Sequence, residues 1–124
     1  MFSHMMVGSN DIERSKKFYD ATFKAMGGRE AIVDPKGRLM YVHNGGAFLV
    51  TQPIDGEPAT HGNGSTVGFS MTPEQADAWH AAGVANGGTA IEDPPGERPG
   101  SGMYLAYLRD PDGNKLCALH RIQS

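Results

Sequence analysis

The stretch FSHMMVGSNDIERSKKFYDATFKAMGG, Phe2 to Gly28, sets a short apolar run ahead of a capped segment of helical period, and STVGFSMTPEQADAWHAAGVANGG, Ser65 to Gly88, repeats that plan. In the first stretch the run Phe2 to Gly8 reads as a buried strand, and Asn10 with Glu13 three residues later has the spacing of a capping box. Ile12, Tyr19, Phe23 and Met26 then recur at helical period, Lys16, Lys17 and Lys24 are left for solvent, and Gly27-Gly28 stops the helix. In the second stretch Ser65 to Met71 reads as a strand, Thr72 and Gln75 form the box, Pro73 suits the first helical turn, and Gly87-Gly88 is the stop. Ala76, Trp79 and Gly83 give that helix a narrow buried face. Asn10 and Thr72 lie 62 residues apart and Gly27 and Gly87 lie 60 apart, which points to internal duplication.

Each helix is followed by three strand candidates. After the first they run over 30–33, 39–43 and 47–52, parted by Asp34-Pro35-Lys36-Gly37 and Asn44-Gly45-Gly46. After the second they run over 89–92, 103–109 and 115–121, the last two joined through Asp110-Pro111-Asp112-Gly113-Asn114. The expectation is one domain over 1–124 with βαβββ modules at 1–53 and 64–124 and a Gly- and Pro-rich linker at 54–63. A chain of 124 residues suits one domain with its own core.

Composition excludes several classes of function. A net charge of -3, with Lys and Arg scattered, gives no basic stripe for nucleic acid, and no apolar run reaches the ~20 residues of a membrane span. Cys117 is the only cysteine, so no intrachain disulfide forms, and the N-terminus lacks the basic-then-apolar pattern of a signal peptide; a reducing cytoplasm is expected.

The segment HMMVGSNDIERSKKFYD, with its Arg14-Ser15 and Phe18-Tyr19 pairs, resembles the opening of vicinal oxygen chelate proteins, the glyoxalase, bleomycin-resistance and extradiol dioxygenase superfamily. YLRDPDGNKLCALH, Tyr107 to His120, resembles that family's closing hairpin. The resemblance implies an α+β fold in which two βαβββ modules form a cupped, mostly antiparallel sheet around a small-molecule cleft. It also implies metal ligands on the first and last strand of each module.

His4 occupies the first of those ligand positions, and a neutral imidazole suits Zn, Ni, Fe or Mn. The matching place in the second module is Thr66, a weak donor. The usual carboxylate of the closing hairpin falls at Cys117, and its partner near the end of the strand 47–52 has no carboxylate, Gln52 being the nearest candidate. His4 is thus the only retained ligand, no cofactor is expected, and a divalent metal is the alternative. Of the other histidines, His61 falls in the linker, His80 on a surface helix and His120 on the sheet face opposite Cys117, which leaves His43 as a substitute. Arg98 and the acids Glu92, Asp93 and Glu97 fall in a loop at the rim of the cup. A three-residue loop at 111–113 would pair Tyr107 with Cys117 on one face.

The expected function is binding of a small polar-aromatic or carbonyl compound in the cup, as a lyase, isomerase or dioxygenase with a degenerate metal site. His4 and Cys117 are the catalytic candidates, and Gln52, Thr66 and Tyr107 the substrate-binding ones. The alternatives are a metal-free protein of bleomycin-resistance type that sequesters a drug or metabolite, and a partner-binding domain whose cup is filled. For Cys117, a nucleophile with His4 as base competes with an inert small hydrophobe in an apolar strand. A homodimer is expected from the resemblance and from the need to cover open sheet edges.

Overall fold

Of the first apolar run only Met5–Gly8 forms strand β1, because only these four residues find partners, running parallel to Phe48–Thr51 of strand β4, Gly46–Thr51. His4 therefore stands just ahead of the strand rather than inside it. The computed structural model describes residues 1–122, so the last two residues of the expected second module, 123 and 124, lie outside the described residues. The first module continues with helix α1, Ile12–Ala25, and strands β2, Ile32–Val33, and β3, Leu39–His43; its sheet order is β1-β4-β3-β2. The second holds β5, Val67–Ser70, helix α2, Pro73–Ala85, and strands β6, Thr89–Ala90, β7, Gly96–Arg98, β8, Met103–Arg109, and β9, Lys115–Arg121. Its sheet runs β5-β9-β8-β6, with β7 also on β8.

The plan is α+β, two open sheets in which β1 with β4 and β5 with β9 are parallel and the other pairs antiparallel. Strand β7 corrects the expectation of a plain loop at 93–102. Arg98 shapes that segment by donating to the carbonyls of Asp93, Pro94 and Gly96, which aligns Gly96–Arg98 with the open edge of β8.

The capping box at Thr72 forms as the spacing predicts, Thr72 Oγ1 accepting from Gln75 N and Gln75 Oε1 from Thr72 N. At α1 the cap is Asp11, one residue later than expected, and it accepts from Arg14 N at 3.0 Å. Asn10 is drawn into a tertiary role instead. Its side-chain amide donates to the Ala59 carbonyl and accepts from the Ala59 N–H, pinning the linker to the end of β1. Gly27 and Gly87 end the helices at φ +91° and +99°, conformations that cost a side chain but not glycine.

The inner sheet faces put Leu39, Tyr41, Phe48 and Val50 from the first module and Ala106, Leu108, Leu116 and Ala118 from the second into one core with Phe18, Tyr19, Phe23 and Trp79 of the helices. Phe18 of α1 lies against the backbone at Gly83 of α2 and at Gly88 just beyond its end, so glycine at these positions permits the helices' close approach. At one end of this joint the Asp110–Asn114 turn meets the end of β1. Buried Asp110 accepts from Tyr19 Oη at 2.5 Å and from Asn114, and Asn114 Nδ2 donates to the Gly8 carbonyl. Asp112 accepts from the Asn10 N–H, Arg14 and Ser15, closing that end with polar contacts.

Candidate functional site

At the opposite end of the joint no such turn reaches across, and a cavity of about 250 Å3 is left between the modules. Its floor is apolar: buried Phe23 of α1 and Met26 at its C-cap, buried Tyr41 and Phe48 from the sheet of the first module, and half-buried Phe69 from β5 of the second. Phe69 meets Phe23 and Phe48 edge-on, with ring centroids 5.5 and 5.3 Å apart. Phe23 stacks on Tyr41 at 4.4 Å, and the Tyr41 hydroxyl is spent on Asp20 at 2.7 Å.

The rim carries exposed His4, Asn44 and Ser70 and half-buried His43, with the exposed Phe2 ring beside them. Ser3 Oγ lies 2.8 Å from His4 Nδ1, which engages that nitrogen and leaves Nε2 for a ligand. His43 sits edge-on to Phe23 at 6.4 Å at the end of β3. The β3–β4 turn is two residues, with Asn44 at φ +48° and Gly45 at φ +81°, the tight hairpin geometry that keeps the tip short.

Of the five expected site residues only His4 borders this cavity. Tyr107 and Cys117 are paired across β8 and β9, as the loop length implies, on the face turned away from the helices. Burial pushes the Cys117 thiol above its usual range, outweighing the hydrogen bond with Tyr107, and a thiol held protonated is a poor nucleophile. Burial first, and then Cys117, raises Tyr107 as well. Lys115 closes this patch, pairing with Glu92 and lying 5.0 Å over the Tyr107 ring.

Gln52 borders a different, broader cleft, in which the linker lies against the first module's sheet beside Lys36 and Arg38. Thr66 precedes β5 and is exposed. His43, held as the substitute, is the histidine that shares a cavity with His4. His80 is half-buried rather than on the surface; burial lowers it, against a hydrogen bond with the backbone of Tyr107. Arg98, at the end of β7, is engaged by the carbonyls of Asp93 and Pro94 in its own segment.

Beside β1, the residues of β4 on the face away from the helices are Ala47, Leu49 and Thr51, none of them a carboxylate. Among the described residues no three His, Cys, Asp or Glu side chains converge. A catalytic divalent ion needs at least three protein ligands, so the donors one chain brings together do not fit it. Among the described residues, too, no helix is long and apolar enough to cross a membrane.

No curated protein matches the sequence. The fold is similar to a crystal structure of a glyoxalase/bleomycin resistance protein from Albidiferax ferrireducens T118, at 60% identity over 98% of this chain and 99% of that one, TM-score 0.92. It is also similar, at the level of fold, to a glyoxalase-related enzyme from Fulvimarina pelagi at 20% identity over 97% and 87% of the two chains, TM-score 0.74. A glyoxalase/bleomycin resistance protein/dioxygenase family enzyme from Burkholderia phytofirmans PsJN stands likewise at 20% identity over 96% and 97%, TM-score 0.73. The model of the Glyoxalase/Bleomycin resistance protein/Dioxygenase superfamily matches residues 1–118, and the chain belongs to that family.

Proposed function

We propose that this protein binds a small organic molecule in the cavity between its modules, with His4 as a polar contact. The supporting observation is the coincidence of an aromatic, apolar floor with a mostly exposed rim where His4 keeps one ring nitrogen free. Binding then draws on apolar burial below and a few hydrogen bonds above, the usual economy of a small-molecule site. His4 can accept or donate one proton there, as a base or as a hydrogen-bond partner. Metal-free sequestration is the second reading, favoured by the donors' failure to fit a divalent ion.

The test is a ligand screen by thermal shift, since a ligand that binds only the folded protein raises its melting temperature. Val67 offers a specific control. It borders the cavity, is half-buried and shares a sheet face with Phe69, so Val67→Phe carries its added bulk toward the floor. Hits that shift the parent but not a folded Val67→Phe support the reading, and hits indifferent to that substitution reject it.

The proposal extends to a homodimer. Met6 and Val42 are exposed apolar residues on the first module's sheet, and Ile32 and Val33 stand exposed on its edge strand, a surface that calls for cover. Light scattering should give twice the chain mass, reduced by Val42→Glu; a monomer at all concentrations would reject it.

A further inference from the structure

Among the described residues the cavity's lining contains no Asp, Glu, Lys or Arg, and its titratable side chains are Tyr41, whose hydroxyl is bound to Asp20, and the two rim histidines, His4 and His43. We infer that the cavity selects an uncharged single-ring aromatic compound carrying one hydrogen-bonding substituent, bound ring-first with that substituent at the His4 and Ser70 rim. This rests on the reading of the cavity as a ligand site and narrows what that site accepts.

Size, shape and charge each contribute. A cavity of about 250 Å3 exceeds the ~150 Å3 that encloses benzene, leaving room for one ring and a short substituent but not for a peptide conjugate or a large drug. The floor is built from ring edges and faces already in T-shaped contact, Phe23 and Phe48 against Phe69, an arrangement that a further ring extends. Below the rim the only polar side chain among the described lining residues is Tyr41, and its hydroxyl is engaged by Asp20. A polar substituent is therefore confined to the mouth, where His4 Nε2, His43, Asn44 and Ser70 can meet it. A charged group drawn against the apolar floor would lose water, and no Asp, Glu, Lys or Arg among the described lining residues supplies a countercharge.

The experiment uses three probes of one size at neutral pH, 4-methylphenol, benzoate and benzylamine, titrated into the full chain by calorimetry, with Val67→Phe, checked for an unchanged fold by circular dichroism, as the filled-cavity control. The expected result is that 4-methylphenol binds about tenfold or more tighter than either charged probe, and that Val67→Phe abolishes its binding. Equal or tighter binding of benzoate or benzylamine, lost in Val67→Phe, overturns the selection for neutral rings while leaving the cavity as a ligand site. Absence of binding by all three, or binding unaffected by Val67→Phe, overturns both.

Discussion

The two ends of the joint between modules are built from equivalent parts and end differently. At each, the turn before a module's last strand approaches the end of the other module's first strand. Five residues, Asp110 to Asn114, separate β8 from β9, and they reach Gly8, Asn10, Arg14 and Ser15 and close the gap. Two residues, Asn44 and Gly45, separate β3 from β4, and there the gap near Ser70 stays open as the cavity. A duplicated plan thus provides two equivalent junctions, and turn length with polar content decides which is a latch and which a pocket.

The largest effect expected in a test of this contrast comes from Asp110→Ala. It strips Tyr19, Asn114 and the Asp112 N–H of their acceptor inside the latch and should cost about 3 kcal/mol or more in urea unfolding. A loss under about 1 kcal/mol would mean the latch is ornamental.

The paired glycines after the helices give the next comparison. At Gly88 an added Cβ would overlap Phe18 Cε1 and stand 2.9 Å from the Gly83 carbonyl and 3.1 Å from the Arg109 carbonyl, backbone that cannot yield. At Gly28, its counterpart, the tightest contact is 3.0 Å to the Phe23 carbonyl, with the His43 ring at 3.4 Å on the open side. Gly88→Ala should therefore cost about 2–3 kcal/mol and Gly28→Ala about 1 kcal/mol by thermal or urea unfolding. Equal costs would erase the asymmetry.

Two tyrosine–carboxylate pairs, Tyr19–Asp110 buried between the modules and Tyr41–Asp20 partly buried within the first, should respond to pH with opposite sign. Burial holds the Asp110 carboxyl above its ordinary 3.8, against the hydrogen bonds from Tyr19 and Asn114. The folded state then keeps a proton that the unfolded chain has lost. That contribution is full below 3.8 and disappears as pH rises through the folded value. For Asp20 burial also pushes upward, but Lys16, the Ala31 N–H and the Tyr41 hydroxyl overcome it and hold the carboxyl below 3.8. Its contribution is present above 3.8 and is lost as pH falls through the folded value. Measured against pH, wild type minus Asp110→Asn should decline with rising pH and wild type minus Asp20→Asn should increase, neither by more than about 1.4 kcal/mol per unit. Slopes of one sign would refute the assignment.

The smallest effect belongs to Arg14→Ala. Its ion pair with Asp112 is 2.8 Å long, yet the arginine side chain is 46% exposed, so the loss should stay below about 1 kcal/mol and shrink with added salt.

Much of the fold was legible because local signals agreed. Strands β3, β8 and β9, the box at Thr72, both glycine stops and the register of Tyr107 with Cys117 follow from periodicity, capping chemistry and loop length. The misses share one cause, tertiary competition for a side chain or an edge. Asn10 left the cap to Asp11 because Ala59 lies within reach, and Gly96–Arg98 became a strand because β8 had an open edge. The candidate site was less legible. His4 and the substitute His43 border the cavity, but the floor of Phe23, Phe48 and Phe69 read as ordinary core, since nothing local marks where a core stops short of filling.

By itself the sequence determined two capped helices, the strands around them and the family to which they belong, all set by interactions among residues close along the chain. Only the tertiary structure decided that one junction between the modules is sealed and the other hollow. That choice depends on whether groups some hundred residues apart, such as Asn10 and Asp112, come within hydrogen-bonding distance, and no local pattern encodes such a distance.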